Sequence, residues 1–139
     1  MSDQLLTRLL VAAGLALVGI GFLVYAAWAR RGGSPAARAW MGSEFGSRTV
    51  DERMSVLGAP MFGVMCLSFA MIVLPVVGKH LALIAVPVGV LAFFPFLWAI
   101  MLFIPLPDAI YPRWARPLRE RNRRAEAGWK REIRRRSGR

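Results

Sequence analysis

Three stretches of the chain carry almost nothing but apolar side chains: Leu5–Trp28, Met54–Val77 and Leu81–Ile104. The last two hold 24 residues each, with no Asp, Glu, Lys or Arg, and are separated only by Gly78-Lys79-His80. At about 1.5 Å per residue, such a run is about 36 Å long as a helix. That is enough to cross a hydrocarbon core of about 30 Å with some tilt. The pattern predicts an all-α integral membrane protein with one N-terminal spanning helix and a helical hairpin that turns at Lys79-His80. Residues 1–112 form the expected membrane domain, with a polar loop at 30–53, and residues 113–139 a basic, mostly helical tail.

The polar stretches have their own local signals. Ser34-Pro35 reads as a helix cap followed by a first-turn proline. Gly42 and Gly46 are the expected stops of that short helix, and Trp40, Met41 and Phe45 suit an interfacial position. Thr49-Val50-Asp51-Glu52 has capping-box spacing, which starts the second spanning helix near Thr49. Gly58 and Pro60 are expected to bend that helix, since Pro60 cannot donate to the carbonyl of Val56. Pro105, Pro107, Pro112 and Pro117 forbid a continuous helix after Ile104. A final helix is predicted over Leu118–Arg136, where Glu120/Arg124, Glu126/Lys130 and Glu132/Arg136 stand four apart in the favourable order. Leu118, Ala125, Trp129 and Ile133 share one narrow face of it.

Charge adds an orientation. The 139 residues are 56% hydrophobic yet carry a net charge of +11. Five arginines lie in Arg30–Arg53, and eleven arginines with Lys130 lie in Arg113–Arg139. With three crossings these two segments share one side, and the opposite side holds only Arg8 and Lys79. Cytoplasmic loops carry the excess of Lys and Arg, so the expectation is a bacterial inner-membrane protein with its N-terminus outside and its C-terminus cytoplasmic. Tyr25, Trp28, Trp40, Trp98, Tyr111 and Trp114 all fall toward the basic end, as an aromatic belt would. Ala27-Trp28-Ala29 has the form of a leader-peptide cleavage site, but the apolar run is too long for a leader, and retention as a spanning helix is expected. The pieces outside the spans look too short and polar to build a second core.

Candidate chemistry is sparse. Cys66, with Met61, Met65 and Met71 nearby, offers soft sulfur ligands, but His80 is about 20 Å away at helical rise, and methionine fills irregular core gaps anyway. Pro87 and Pro95 read as packing kinks in the third span. Ion and proton pathways ordinarily place ionisable groups inside the span, and neither Met54–Val77 nor Leu81–Ile104 holds an Asp, Glu, Lys, Arg or His. No catalytic, cofactor or metal constellation is expected. What each span does carry is small residues at helical spacing, which let helices approach closely: Ala16 and Gly19 in the first, Ala59, Gly63 and Cys66 in the second, Ala85 and Gly89 in the third. Three small faces exceed what one compact unit needs, so one is expected to meet a partner membrane protein or a second copy.

The tail carries net +9. Basic residues near an anionic leaflet are each worth about 1 kcal/mol at most, so Arg113, Trp114, Arg123, Arg124, Trp129, Arg134, Arg135 and Arg136 are the expected membrane-surface residues. Nucleic acid is a poorer partner, because no aromatic platform accompanies the charge. The layout resembles small accessory subunits of bacterial membrane complexes. It also resembles three-span phage holins, from which the long Arg30–Met54 loop departs. With no catalytic constellation in the chain, the expectation is a non-enzymatic accessory, structural or regulatory subunit packing against a larger membrane complex, with a holin-like permeabilising oligomer or a small-solute channel component as the alternative.

Overall fold

The computed structural model describes residues 2–41, 52–101 and 103–138, and its described elements are all helical. The first, α1, runs Asp3–Arg31 and overshoots its apolar limits at both ends. Gly32 closes it in the left-handed region at φ 58°, its N–H on the Trp28 carbonyl, a conformation open to glycine at little cost. Ser34 then caps α2, Pro35–Arg38, accepting from the Ala37 N–H at 3.2 Å. A 3-10 turn, Ala39–Met41, follows. The expected stops at Gly42 and Gly46, the role of Phe45 and the helix start at Thr49 lie outside the described residues.

The chain is already helical at Glu52 and Arg53. It then widens into a π turn, Met54–Gly58, before α3, Ala59–Val73. The expected bend at Gly58 and Pro60 is thus a widening, and the cause is proline. In an α-helix the Pro60 ring would press on the Val56 carbonyl and offer it no N–H. In the π turn the Ala59 N–H reaches back to Met54, and the Val56 carbonyl accepts from Arg30 Nη2 at 2.9 Å.

The hairpin turn is four residues earlier than expected. It occupies Leu74–Val77, and Gly78-Lys79-His80 form the first turn of α4, Gly78–Ile100. The second and third spans are therefore shifted, ending at Val73 and at Ile100 in place of Val77 and Ile104. Polarity marks Lys79-His80, but Pro75 governs the backbone. The residue before a proline is driven out of the α region, and Leu74 has ψ 127°. Val76 follows at φ 69°. A Cβ on Gly78 would stand 2.5 Å from the Ile72 carbonyl oxygen, so the turn closes only on glycine. Pro87 and Pro95 lie within α4, which continues through both.

α3 lies between the other two long helices, and α1 and α4 have no substantial contact with each other. The three form one layer. With the π turn counted in, the central span is Met54–Val73, and each of the three is long and apolar enough to cross a membrane; 44% of the central span's apolar stretch is buried, against 17% for those of α1 and α4. The last helix, α5, runs Arg116–Ser137 with Pro117 in its first turn. Of its expected pairs, Glu120–Arg124 and Glu132–Arg136 are closed.

Candidate functional site

Two constructions hold the layer together, one at its middle and one at its basic end. The middle is a seam of small residues. The buried positions Ala12, Gly19 and Ala26 of α1 recur every seven residues, as do Ala85, Ala92 and Ala99 of α4, the period of a continuous helix–helix stripe. Gly19 and Gly63 face each other: a Cβ on Gly19 would stand 2.8 Å from the Gly63 carbonyl oxygen, and one on Gly63 would stand 2.9 Å from that of Gly19. On the other side of α3, Gly89 lies against Ser68, whose Cβ would be 3.3 Å from an added one. Ser68 Oγ donates back to the Val64 carbonyl at 3.0 Å, so the hydroxyl brings no unpaired polar atom into the seam. Phe62 of α3 links both flanks, 5.0 Å from Phe22 and 5.8 Å from Phe96 between ring centroids.

The structure therefore turns the expected packing residues inward. Gly19, Ala59, Gly63, Cys66 and Ala85 are buried, and Ala16 and Gly89 are half-buried. Gly14 and Gly21 lie on the outer side of α1, with no atom within 4 Å of an added Cβ. Neither glycine was singled out by spacing.

The basic end holds a second core, contrary to the expectation that the connecting pieces could not build one. Trp40, Met41, Leu106, Tyr111 and Ala115 join Ala29, Val56, Leu57 and Ala99 from the ends of the long helices. Short pieces suffice because the helix ends lend them apolar surface. Trp40 and Met41 are interior residues here, and the presumed aromatic belt is partly a core: Tyr111 is buried with Trp40, while Trp98 and Trp114 are half-buried.

Such a cap has a polar problem: helix termini and a proline-rich segment leave many carbonyls without backbone donors. Side-chain donors supply them, some local and most from more distant parts of the chain. Arg30 serves Val56, Arg38 serves Gly32 at 2.6 Å, and Arg53 reaches both Met101 and Ile104. Arg119 Nη2 donates to Leu106 at 2.8 Å and Arg116 Nε to Tyr111 at 3.2 Å. Trp114 Nε1 donates to Arg30 at 2.8 Å, and Asn122 Nδ2 to Met41 at 3.2 Å. Bonds with one charged partner are the stronger kind. Arg53 and Glu52 are both buried. The Arg119 guanidinium lies 4.1 Å above the centre of the Tyr111 ring and pairs with Asp108. Burial pushes the Tyr111 phenol above its usual range, with Arg119 pulling it back.

The expected membrane-surface residues divide. Trp114 is a packing residue: its ring covers Gly32, meets Trp40 at 5.3 Å and carries Arg38 over its face. Arg123 reaches Asp108 at 3.2 Å and Arg124 pairs with Glu120. Arg113, Trp129, Arg134, Arg135 and Arg136 are exposed, Trp129 by 68%. Spacing did not mark Arg30, Arg53, Arg119 or Asn122. Pro60 was the available signal for Arg30, because a proline in a helix leaves a carbonyl that needs another donor. Among the described residues no three His, Cys, Asp or Glu side chains gather as a metal site would need. Cys66 is buried on α3, whereas His80 sits in the first turn of α4.

Comparisons with protein-family models, with curated proteins and with solved structures found no match to this chain.

Proposed function

We propose that this chain is a non-enzymatic, multi-pass subunit of a bacterial inner membrane that packs against a larger membrane protein, with its N-terminus outside and its basic cap and tail on the anionic cytoplasmic leaflet. The observation that carries the reading is the difference between the inner and outer helices, 44% against 17% buried. Leu10, Leu17 and Val24 on α1, and Leu83 and Leu91 on α4, are each more than 60% exposed. Lipid can cover such faces, and so can the helices of another protein. The charge asymmetry supports the orientation, and the exposed arginines near the end of α5 support contact with anionic headgroups.

Photo-crosslinking side chains at positions 17 and 83, in membranes, test the proposal. The expected products join this chain to one larger membrane protein. Crosslinks to lipid alone would overturn it. A ladder of self-linked products would favour the second reading, a holin-like oligomer or channel component, which the two open flanks of the layer also permit because a head-to-tail contact need not close. Cysteine labelling at positions 2 and 138 checks the orientation, and label entering from outside at 138 would reverse it.

A further inference from the structure

An open groove of about 420 Å³ lies between the segment leaving α4 and the inner face of α5. Arg53, Arg119, Arg123 and Lys130 line it, against Glu52 and Glu126. The two buried-side arginines are fixed: Arg53 by the carbonyls of Met101 and Ile104, Arg119 by that of Leu106. They hold positive charge at the floor without being free to leave it. Arg123 and Lys130 stand at the rim. Arg123 reaches Asp108 with both side chains more than half exposed, and exposed pairs of this kind contribute about 0–1 kcal/mol. A better anion can therefore draw Arg123 away from Asp108, which keeps its pair with Arg119.

The other edge of the groove is apolar. Phe103 lines it and is 97% exposed, directly after the apolar α4, beside Met101 and Ile104, each about half exposed. Cations on one edge and an unpartnered aromatic ring on the other match the boundary between a phosphate headgroup and its acyl chains. We infer that this groove binds one anionic phospholipid, with Arg123 and Lys130 on the phosphate and Phe103 along the first acyl carbons. The phosphate chemistry is shared with free phosphate, but only a lipid uses Phe103. The inference rests on the membrane reading above, which places the end of α4 at headgroup depth.

Native mass spectrometry of the full chain, released from neutral detergent micelles, tests it. Phosphatidylglycerol and phosphatidylcholine are titrated in parallel, with inorganic phosphate as a competitor. One phosphatidylglycerol should be retained at concentrations where phosphatidylcholine is lost. The double variant Arg123→Gln/Lys130→Gln should weaken retention by up to about thirtyfold, two surface charges' worth, and Phe103→Ser should weaken it too. Arg8→Gln/Lys79→Gln, which removes two charges at the opposite end of the layer, should leave it unchanged. Equal retention of the two lipids, a double variant that behaves like the parent, or displacement by millimolar phosphate would each overturn the lipid site. Carbonate washing of membranes separates the two readings: a chain released by carbonate sinks the membrane reading, whereas a retained chain without lipid preference sinks only the groove.

Discussion

At the middle of the layer, Gly19 and Gly63 bring two backbones so close that neither has room for a methyl group. At the basic end, Arg30 projects from the last turn of the same α1 and meets the same neighbouring segment through a 2.9 Å bond to Val56. One joint is dry and depends on the absence of side chains. The other depends on long side chains that carry donors. The seam gains its stability from dispersion between close-packed atoms, so it is sensitive to volume. The cap gains from satisfying carbonyls that would otherwise be buried unpaired, so it is sensitive to the number of donors and tolerant of shape.

The largest expected effect comes from breaking the seam. Gly63→Leu must push α1 away from α3, at a cost on the order of 3 kcal/mol or more, and Gly63→Ala should cost less but remain destabilising. Gly14→Ala meets open space and should be neutral or stabilising by about 0.5–1 kcal/mol. Thermal melting of the full chain in mild detergent measures all three. A Gly63→Leu protein that melts like Gly14→Ala would show that the close approach contributes nothing.

Next comes the cap. Arg53→Met keeps much of the buried stem but removes the donors to Met101 and Ile104, at about 3 kcal/mol for charge-assisted bonds. Because the loss is local, the segment 101–107 should become open to protease well below the temperature at which the long helices melt. Nicking at the parent rate would mean that Arg53 does not hold this segment.

The smallest effect is a pH dependence confined to the cap. Tyr111 has its pKa raised in the folded chain, first by burial. The neutral phenol is thus the form the fold favours, and its contribution is fully present below the unfolded value of about 10. It is lost as pH rises from there through the folded value. Tryptophan fluorescence from the cap should change in that alkaline window and Tyr111→Phe should remove the change, whereas an identical transition in Tyr111→Phe would assign it to another group.

The comparison also explains what the sequence made legible. Gly19 and Gly63 were visible because close packing leaves a local mark, small residues at helical spacing, that needs no knowledge of the partner. Ser34-Pro35 was visible for the same reason, since a cap is written within four residues. The cap's arginines were not, because their carbonyls lie 26 residues away for Arg30 and 48 to 51 away for Arg53. Composition presented them only as positive charge. Trp40 and Met41 looked interfacial because the apolar ends of α1, α3 and α4 that bury them come from elsewhere in the chain. The hairpin turn was misplaced where two local signals competed, and the backbone constraint at Pro75 prevailed over the polarity of Lys79-His80.

The π turn at Met54–Gly58 bears on how this chain tolerates insertion and deletion. A π turn holds one more residue than an α turn, so it resets the angular phase of everything that precedes it by about 100°. Downstream, α3 is phased to set Gly63 against Gly19. Upstream, Arg53 is phased to reach the end of α4. Removing any one residue from 54–58 would break the molecule, because only one of those two alignments could then be kept. The irregular turn is the coupling between two registers, and its length, more than its composition, is what must be preserved.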